Sequence, residues 1–274
     1  MMVSTASHPV VNRDDRHFLE DRDRLTAMSR AELETMAKAA ADVFHCLRVL
    51  AKTRDTVVGD LLRGSETFHE WDHYPPHEAY DPETHAQYYY HTHPPEQRAV
   101  PPDQRAVREH GHFHLFLRPK GMPEGIAPMP IPGSSPPTGD NDVACHLVAI
   151  SMDRYGMPLR VFTTNRWVTK KTWYRADDVV RMLDRFVIDV ARPNWLINRW
   201  LTAMVMLFRP QIIDLIHARD AAIAQWNVDH PDVDAFEDQR LAVTSAKRIN
   251  VQQQFDAITR ALRLVKKGDH RDGK

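Results

Sequence analysis

His110-Gly111-His112-Phe113-His114-Leu115-Phe116-Leu117 is the stretch on which the fold of this chain turns. Successive side chains of a strand point to opposite faces, so the spacing places His110, His112 and His114 on one side. Phe113, Leu115 and Leu117 then point the other way, into a core. The segment is predicted to be a strand of a sheet with one packed face and one face lined by imidazoles.

Upstream, Tyr88-Tyr89-Tyr90-His91-Thr92-His93 is rich in β-forming residues and is ended by Pro94-Pro95. If it pairs with the first strand, His91 and His93 share the imidazole face. Before it, His69 to His77 contains Pro75 and Pro76 and is expected to be an irregular loop. Downstream, Val143 to Met152 and Pro158 to Thr164 are apolar, β-branched runs around Asp153-Arg154-Tyr155-Gly156-Met157, a hairpin signature. Between these blocks, Pro119 to Asn141 carries seven prolines and four glycines, a composition foreign to helix and central strand, and is expected to be a flap over the site or a tether.

Helices flank this block. Ser29 with Glu32 three residues later is a capping box, and Leu33, Met36, Ala37, Ala40, Phe44, Leu47 and Leu50 follow at helical spacing, which predicts a helix over 30–52. Beyond Trp173 the pattern predicts helices over 177–191, 194–208, 211–226 and roughly 233–266, with Pro193, Pro210 and Pro231 near their starts. The fold class is therefore α+β: an antiparallel sheet of about four strands, an N-terminal helix and a C-terminal helical layer over one face. The charged residues 1–28 are expected to form a mobile arm. Residues 29–274 are expected to form a single domain, with a histidine-rich sheet region at 69–165 and a helical region at 176–266.

With 274 residues, 42% hydrophobic and 27% charged, the chain can bury a sizeable core. Its formal net charge of -1 lacks the basic excess of a phosphate-tracking surface, so no nucleic-acid partner is expected. No membrane partner is expected either, because the most apolar segment, Trp195 to Phe208, has only 14 residues and holds Asn198 and Arg199, whereas a span needs about 20. The charged N-terminal stretch lacks a secretory pattern, and Cys46 and Cys145 lack CxxC spacing. These features lead us to expect a soluble, cytoplasmic protein.

Ten of the 16 histidines fall between residues 69 and 146. A transition metal needs three or four nitrogen or oxygen ligands around one point, and a His-x-His pair on a strand offers two at a fixed separation. The expected ligands are drawn from His91, His93, His110, His112 and His114, which cannot all serve one ion, with His146 as a further candidate. His112, His73 and Glu109 are the expected catalytic groups. The expected cofactor is zinc or iron, and the expected function is a metal-dependent hydrolase or oxygenase acting on a small molecule. A closed coordination shell would instead make a non-catalytic metal-binding protein. Arg160, Arg166 and Lys170, with Lys171 and Arg175, form the main basic concentration and are expected to clamp a carboxylate or phosphate of the substrate.

The run from His110 to Phe116 also resembles the signature of the histidine-triad nucleotide hydrolases and transferases, in which three histidines alternate with hydrophobic residues on a strand. The resemblance implies that His112 is a nucleophile attacking a phosphate, with His110 and His114 supporting it. Glu109 to Leu117 further resembles a pattern from an uncharacterised bacterial family, which implies no activity.

Overall fold

A computed structural model describes residues 24–63, 65, 67–93, 109–131 and 139–269. Its sheet is built from β1 (Tyr74–Tyr80), β2 (Ala86–His91), β3 (Glu109–Leu117), β4 (Cys145–Asp153), β5 (Pro158–Thr164) and β6 (Val243–Arg248). The six strands lie in sequence order and every pairing is antiparallel. The four strands predicted from the sequence are the central four, and the inferred pairing of the two histidine strands is observed.

Both additional strands are edges. β1 occupies the segment expected to be an irregular loop, and it tolerates Pro75 and Pro76 because only one side of an edge strand pairs. β6 lies inside the stretch expected to be one helix over 233–266. There Val243-Thr244-Ser245 adds β-branched residues to the open side of β5, and the helix starts only at Val251, with Asn250 Oδ1 accepting the Gln253 N–H at 3.0 Å.

The helices are α1 (Arg30–Lys52), α2 (Val57–Leu62), α3 (Arg166–Thr169), α4 (Ala176–Leu183), α5 (Trp195–Leu207), α6 (Arg209–Asp229) and α7 (Val251–Asp269). α1 begins as predicted: Ser29 Oγ accepts the Glu32 N–H, and Glu32 Oε2 accepts the Ser29 N–H at 2.9 Å. Such a cap stabilises a helix by about 1 kcal/mol. Leu33, Met36, Ala40, Val43 and Leu50 form its buried stripe, and each large side chain contributes roughly 1.5–3 kcal/mol by leaving water. α1 packs on α5 and α7, and α4 and α6 reach β4 and β5. Against them the sheet sets Tyr88, Tyr90, Phe113, Leu115, Leu117, Val148, Ile150 and Val161. One face of the sheet therefore carries the main core, leaving the histidines to the other.

α4 stops eight residues short of the predicted helix end at 191. The chain after it runs as an irregular segment tied across the fold: Thr84 Oγ1 donates to the Val187 carbonyl, the Ile188 N–H donates to Thr202 Oγ1, and the Asp189 N–H donates to Asp81 Oδ2. Of the expected mobile arm, residues 1–23 lie outside the described residues. Leu25 is buried and Arg24 pairs with Asp214. Of the proline-rich flap, 132–138 also lies outside them. No single described helix is long and apolar enough to cross a membrane.

Candidate metal centre

Pairing of His91 with His112 and of Tyr89 with His114 puts four strand positions on one patch of sheet. His91 Nε2 and His112 Nε2 are 2.8 Å apart, and the two rings meet edge-on. His93, just past the end of β2, lies 4.6 Å from His91 and 5.2 Å from His112 between ring centroids. One nitrogen from each of His91, His93 and His112 falls within 4.8 Å of the others, the geometry of a group able to hold a metal ion. His91 and His112 are buried, and the indole of Trp71 packs on His93 at 4.3 Å.

Two β-bulges decide which other side chains join this patch. Between Glu109 and Gly111, β3 advances two residues while β4 advances one, from Asp153 to Met152. The extra residue is His110, and the expectation that it shares a face with His112 and His114 is corrected here. Its Nδ1 meets the hydroxyl of Tyr90 at 2.7 Å, beside the core, and its ring packs on Phe68. The same bulge turns Glu109 to the histidine side. A second bulge, between Leu115 and Phe116, makes Leu147 the extra residue on β4 and pairs His146 with Phe116, so that His146 faces the histidines rather than the core.

Glu109 then serves His112 from behind. Its Oε1 accepts the His112 Nδ1–H at 2.9 Å, and its Oε2 accepts from Arg160 Nη2 at 3.0 Å. Burial on its own would raise the Glu109 pKa, but the hydrogen bond and charge of His112 and the charge of Arg160 outweigh it and hold the carboxyl at about 2. A carboxylate can only accept, so in the neutral ring it fixes the proton of His112 on Nδ1 and leaves Nε2 with a lone pair. His91 is held neutral: burial lowers its pKa far below the usual imidazole range, and His112, His93 and His73 add to the effect.

His114, fully buried, makes a second arm. Its Nδ1 is 3.0 Å from His146 Nε2, and His146 Nδ1 is 3.3 Å from Thr164 Oγ1. Its Nε2 has no hydrogen-bond partner among the described residues, and its ring lies 4.9 Å from His112 and 5.1 Å from His91. Burial is the first cause holding both rings neutral; His146, also pressed by the charges of Arg219 and His112, falls to about 3.

The remaining expected residues separate. His73 stacks on Tyr89 at 3.7 Å and its Nδ1 meets Glu78 Oε1 at 3.0 Å, at the rim of the cluster, 5.7 Å from the His91 ring. Arg160 is the buried partner of Glu109. Arg166 pairs with Glu237 at the start of α3, and Lys170 sits just past the end of α3 in a left-handed turn. The basic run is therefore divided rather than gathered into one clamp. Sequence reasoning passed over Arg219 and Glu78. Arg219 lies far in sequence from the histidine strands, Glu78 lies on β1 beside them, and no local pattern marks either.

The fold and this patch define an α+β protein that presents a buried, all-imidazole cluster able to hold a metal ion. More particularly, the chain belongs to the family described as a domain of unknown function (DUF6969), whose model matches residues 37–249 and so spans all six strands and every residue of the cluster. Comparison with curated proteins and with solved structures gave no match.

Proposed function

We propose that His91, His93 and His112 hold a divalent transition metal and that the protein is a metal-dependent enzyme. The observation that carries this reading is the pair of imidazole nitrogens, His91 Nε2 and His112 Nε2, facing each other at 2.8 Å in a buried patch with His93 in reach of both. Zinc bound by nitrogens at about 2.0–2.1 Å in tetrahedral geometry separates them by roughly 3.3 Å, so the ion needs the two rings to part by only about half an ångström. Glu109 behind His112 is the outer partner that such ligands characteristically have.

Three protein ligands with a position left for a small molecule are the mark of catalytic rather than structural sites. The group of three contains no carboxylate, which favours zinc and hydrolysis over the two-histidine, one-carboxylate iron site of oxygenases. A metal bound there supplies Lewis-acid polarisation of a substrate oxygen and activation of water. The chain's own residues orient the ligands through Glu109 and Arg160, exclude water by burial, and leave His114 Nε2 beside the cluster as a hydrogen-bonding group for the substrate.

Elemental analysis of the untagged protein beside His112→Ala tests the reading. Near-stoichiometric zinc or iron that falls in the variant is expected. X-ray absorption should then find three imidazole nitrogens and one exchangeable light atom. Four imidazoles would make it a closed, non-catalytic site with His114 as the fourth ligand. No metal in either protein after reconstitution would overturn the reading, and phosphate-ester turnover that survives chelation would move the role of His112 to nucleophile.

A further inference from the structure

His146 has two sides. One meets His114; the other opens on a narrow cleft formed where the loop over 165–173 folds back on β4, held by the bridge between Cys145 and Thr172. Its walls include Thr164, Thr169, Lys171, Thr172 and, from α6, Arg219. No carboxylate is among the described residues that line it. Its enclosed part is small, about 10 Å³, little more than one water needs, and the rest of the cleft is open to solvent.

Arg219 is 3% exposed, so its guanidinium is enclosed by protein except where it lines the cleft. Its Nε and Nη2 donate to Asp220 Oδ1 at 2.9 and 2.7 Å, Nη2 also donates to the Tyr174 carbonyl at 2.6 Å, and its charge lies over the Trp173 ring at 4.0 Å. Nη1 has no hydrogen-bond partner among the described residues. Lys171 donates one hydrogen bond, to Asn141 Oδ1 at 2.9 Å, and keeps two donors. Asp220 offsets part of the Arg219 charge, and Glu78 and Asp142 lie near Lys171, but none of the three lines the cleft. Arg166 on the wall pairs with Glu237, the Thr172 hydroxyl donates to the Asp142 carbonyl at 2.9 Å and the Thr164 hydroxyl meets His146, which leaves Arg219 Nη1, Lys171 and the Thr169 hydroxyl as donors to offer.

We propose that this cleft is an oxyanion pocket, in which Arg219 Nη1, Lys171 Nζ and the Thr169 hydroxyl take the terminal carboxylate or phosphate of a small molecule. The enclosed end has little more room than a water, so the oxyanion sits at the cleft mouth and the body of the ligand lies outside it. His146 and His114 stand between the cleft and the cluster, so the anion site is distinct from the metal site of the reading above. Binding of the anion by the cleft stands without the metal.

The test is calorimetric titration of acetate and of inorganic phosphate, each in a buffer free of other oxyanions, into the full chain with and without prior chelation. Saturable binding by at least one anion is expected in both metal states. It should weaken about tenfold in Lys171→Met, which gives up a charge-assisted donor, and persist in His112→Ala. Arg219→Lys, which keeps the charge and loses the fork, should weaken it as well, and a thermal melt of each variant separates loss of binding from loss of fold. No saturable binding of either anion by the folded wild type would overturn the proposal. So would binding that vanishes with the metal or in His112→Ala while Lys171→Met keeps it, since the anion would then sit on the metal. Failure to bind any metal, with anion binding intact, would defeat the metal reading alone.

Discussion

Glu109 reaches His112 Nδ1 at 2.9 Å because β3 carries one residue more than β4 where the two strands begin to pair. Regular alternation would have set Glu109 on the core side with Gly111 and Phe113. The bulge at His110 exchanges the two neighbours, bringing the carboxylate to His112 and sending His110 to Tyr90.

If Glu109 fixes the tautomer of His112, Glu109→Gln should weaken metal binding by about 10–100-fold, the range for loss of an outer partner. The amide can still meet Nδ1–H through its oxygen, but it no longer offers a charge. Competition against a chelator of known affinity measures this. An unchanged affinity in a folded variant would mean that Glu109 does not orient the ligand.

Glu109 and Arg160 are 12% and 9% exposed at their side chains, so neither charge is well hydrated. Arg160→Met should cost about 3–5 kcal/mol by leaving the carboxylate buried beside too few donors, and the double variant Arg160→Met with Glu109→Gln should recover part of that loss. Urea unfolding of the two single variants and the double variant reads the coupling. Strictly additive losses would show that the ion pair contributes nothing as a pair.

Gly111 holds β3 close to β2. A Cβ there would lie 2.5 Å from the His91 carbonyl oxygen and from Thr92 Cγ2, and 2.6 Å from the Tyr90 hydroxyl. The backbone oxygen cannot move without opening the pairing that sets His91 against His112. Gly111→Ala should therefore destabilise the fold by about 1–3 kcal/mol and weaken metal binding as well. At Gly139 a Cβ meets no atom of the described residues within 4 Å, so Gly139→Ala is the near-neutral control. Equal melting temperatures for the two variants would count against the close approach.

This glycine also shows where the sequence stops being legible. Gly111 interrupts the otherwise bulky side chains of β3, and its reason lies on another strand, in the His91 carbonyl. Period-two alternation identified β3, and runs of β-forming residues with a hairpin signature identified β2, β4 and β5; the pairing of β2 with β3 was an inference from chain order, and the register that sets His91 against His112 was not legible. Neither signal could identify the bulges, since each is a mismatch between two strands and leaves no mark in either one alone. His110 was therefore placed on the wrong face, and the partner role of Glu109 was hidden. The edge strands failed for a different reason. β1 is interrupted by prolines that an edge tolerates, and β6 is six residues lying between helical patterns. Lys171 rather than Lys170 faces the cleft because the chain turns left-handed at Lys170, a rotation set by the end of α3.

Asp81 joins two segments that the fold must hold together, and it should make the protein sensitive to acid. Its Oδ1 accepts the N–H groups of Glu83 and Thr84 at 2.9 and 3.2 Å, and its Oδ2 accepts the Asp189 N–H at 2.7 Å. Burial would raise its pKa, but these donors outweigh burial and hold it below the ordinary aspartate value of 3.8. A carboxyl whose folded-state pKa is depressed contributes stability in full above its unfolded value. That contribution is lost as the pH falls through the folded value, because the unfolded chain binds the proton first. Asp81→Asn should cost about 1.5–3 kcal/mol near neutral pH, where an amide N–H₂ set against the Asp189 N–H replaces a charged acceptor. The gap between variant and wild type should stay constant down to about pH 4 and narrow below it. Urea midpoints measured for both proteins from pH 3 to pH 7 read this directly. A gap that stays the same at pH 3 would place the stabilisation in packing rather than in the ionised carboxylate.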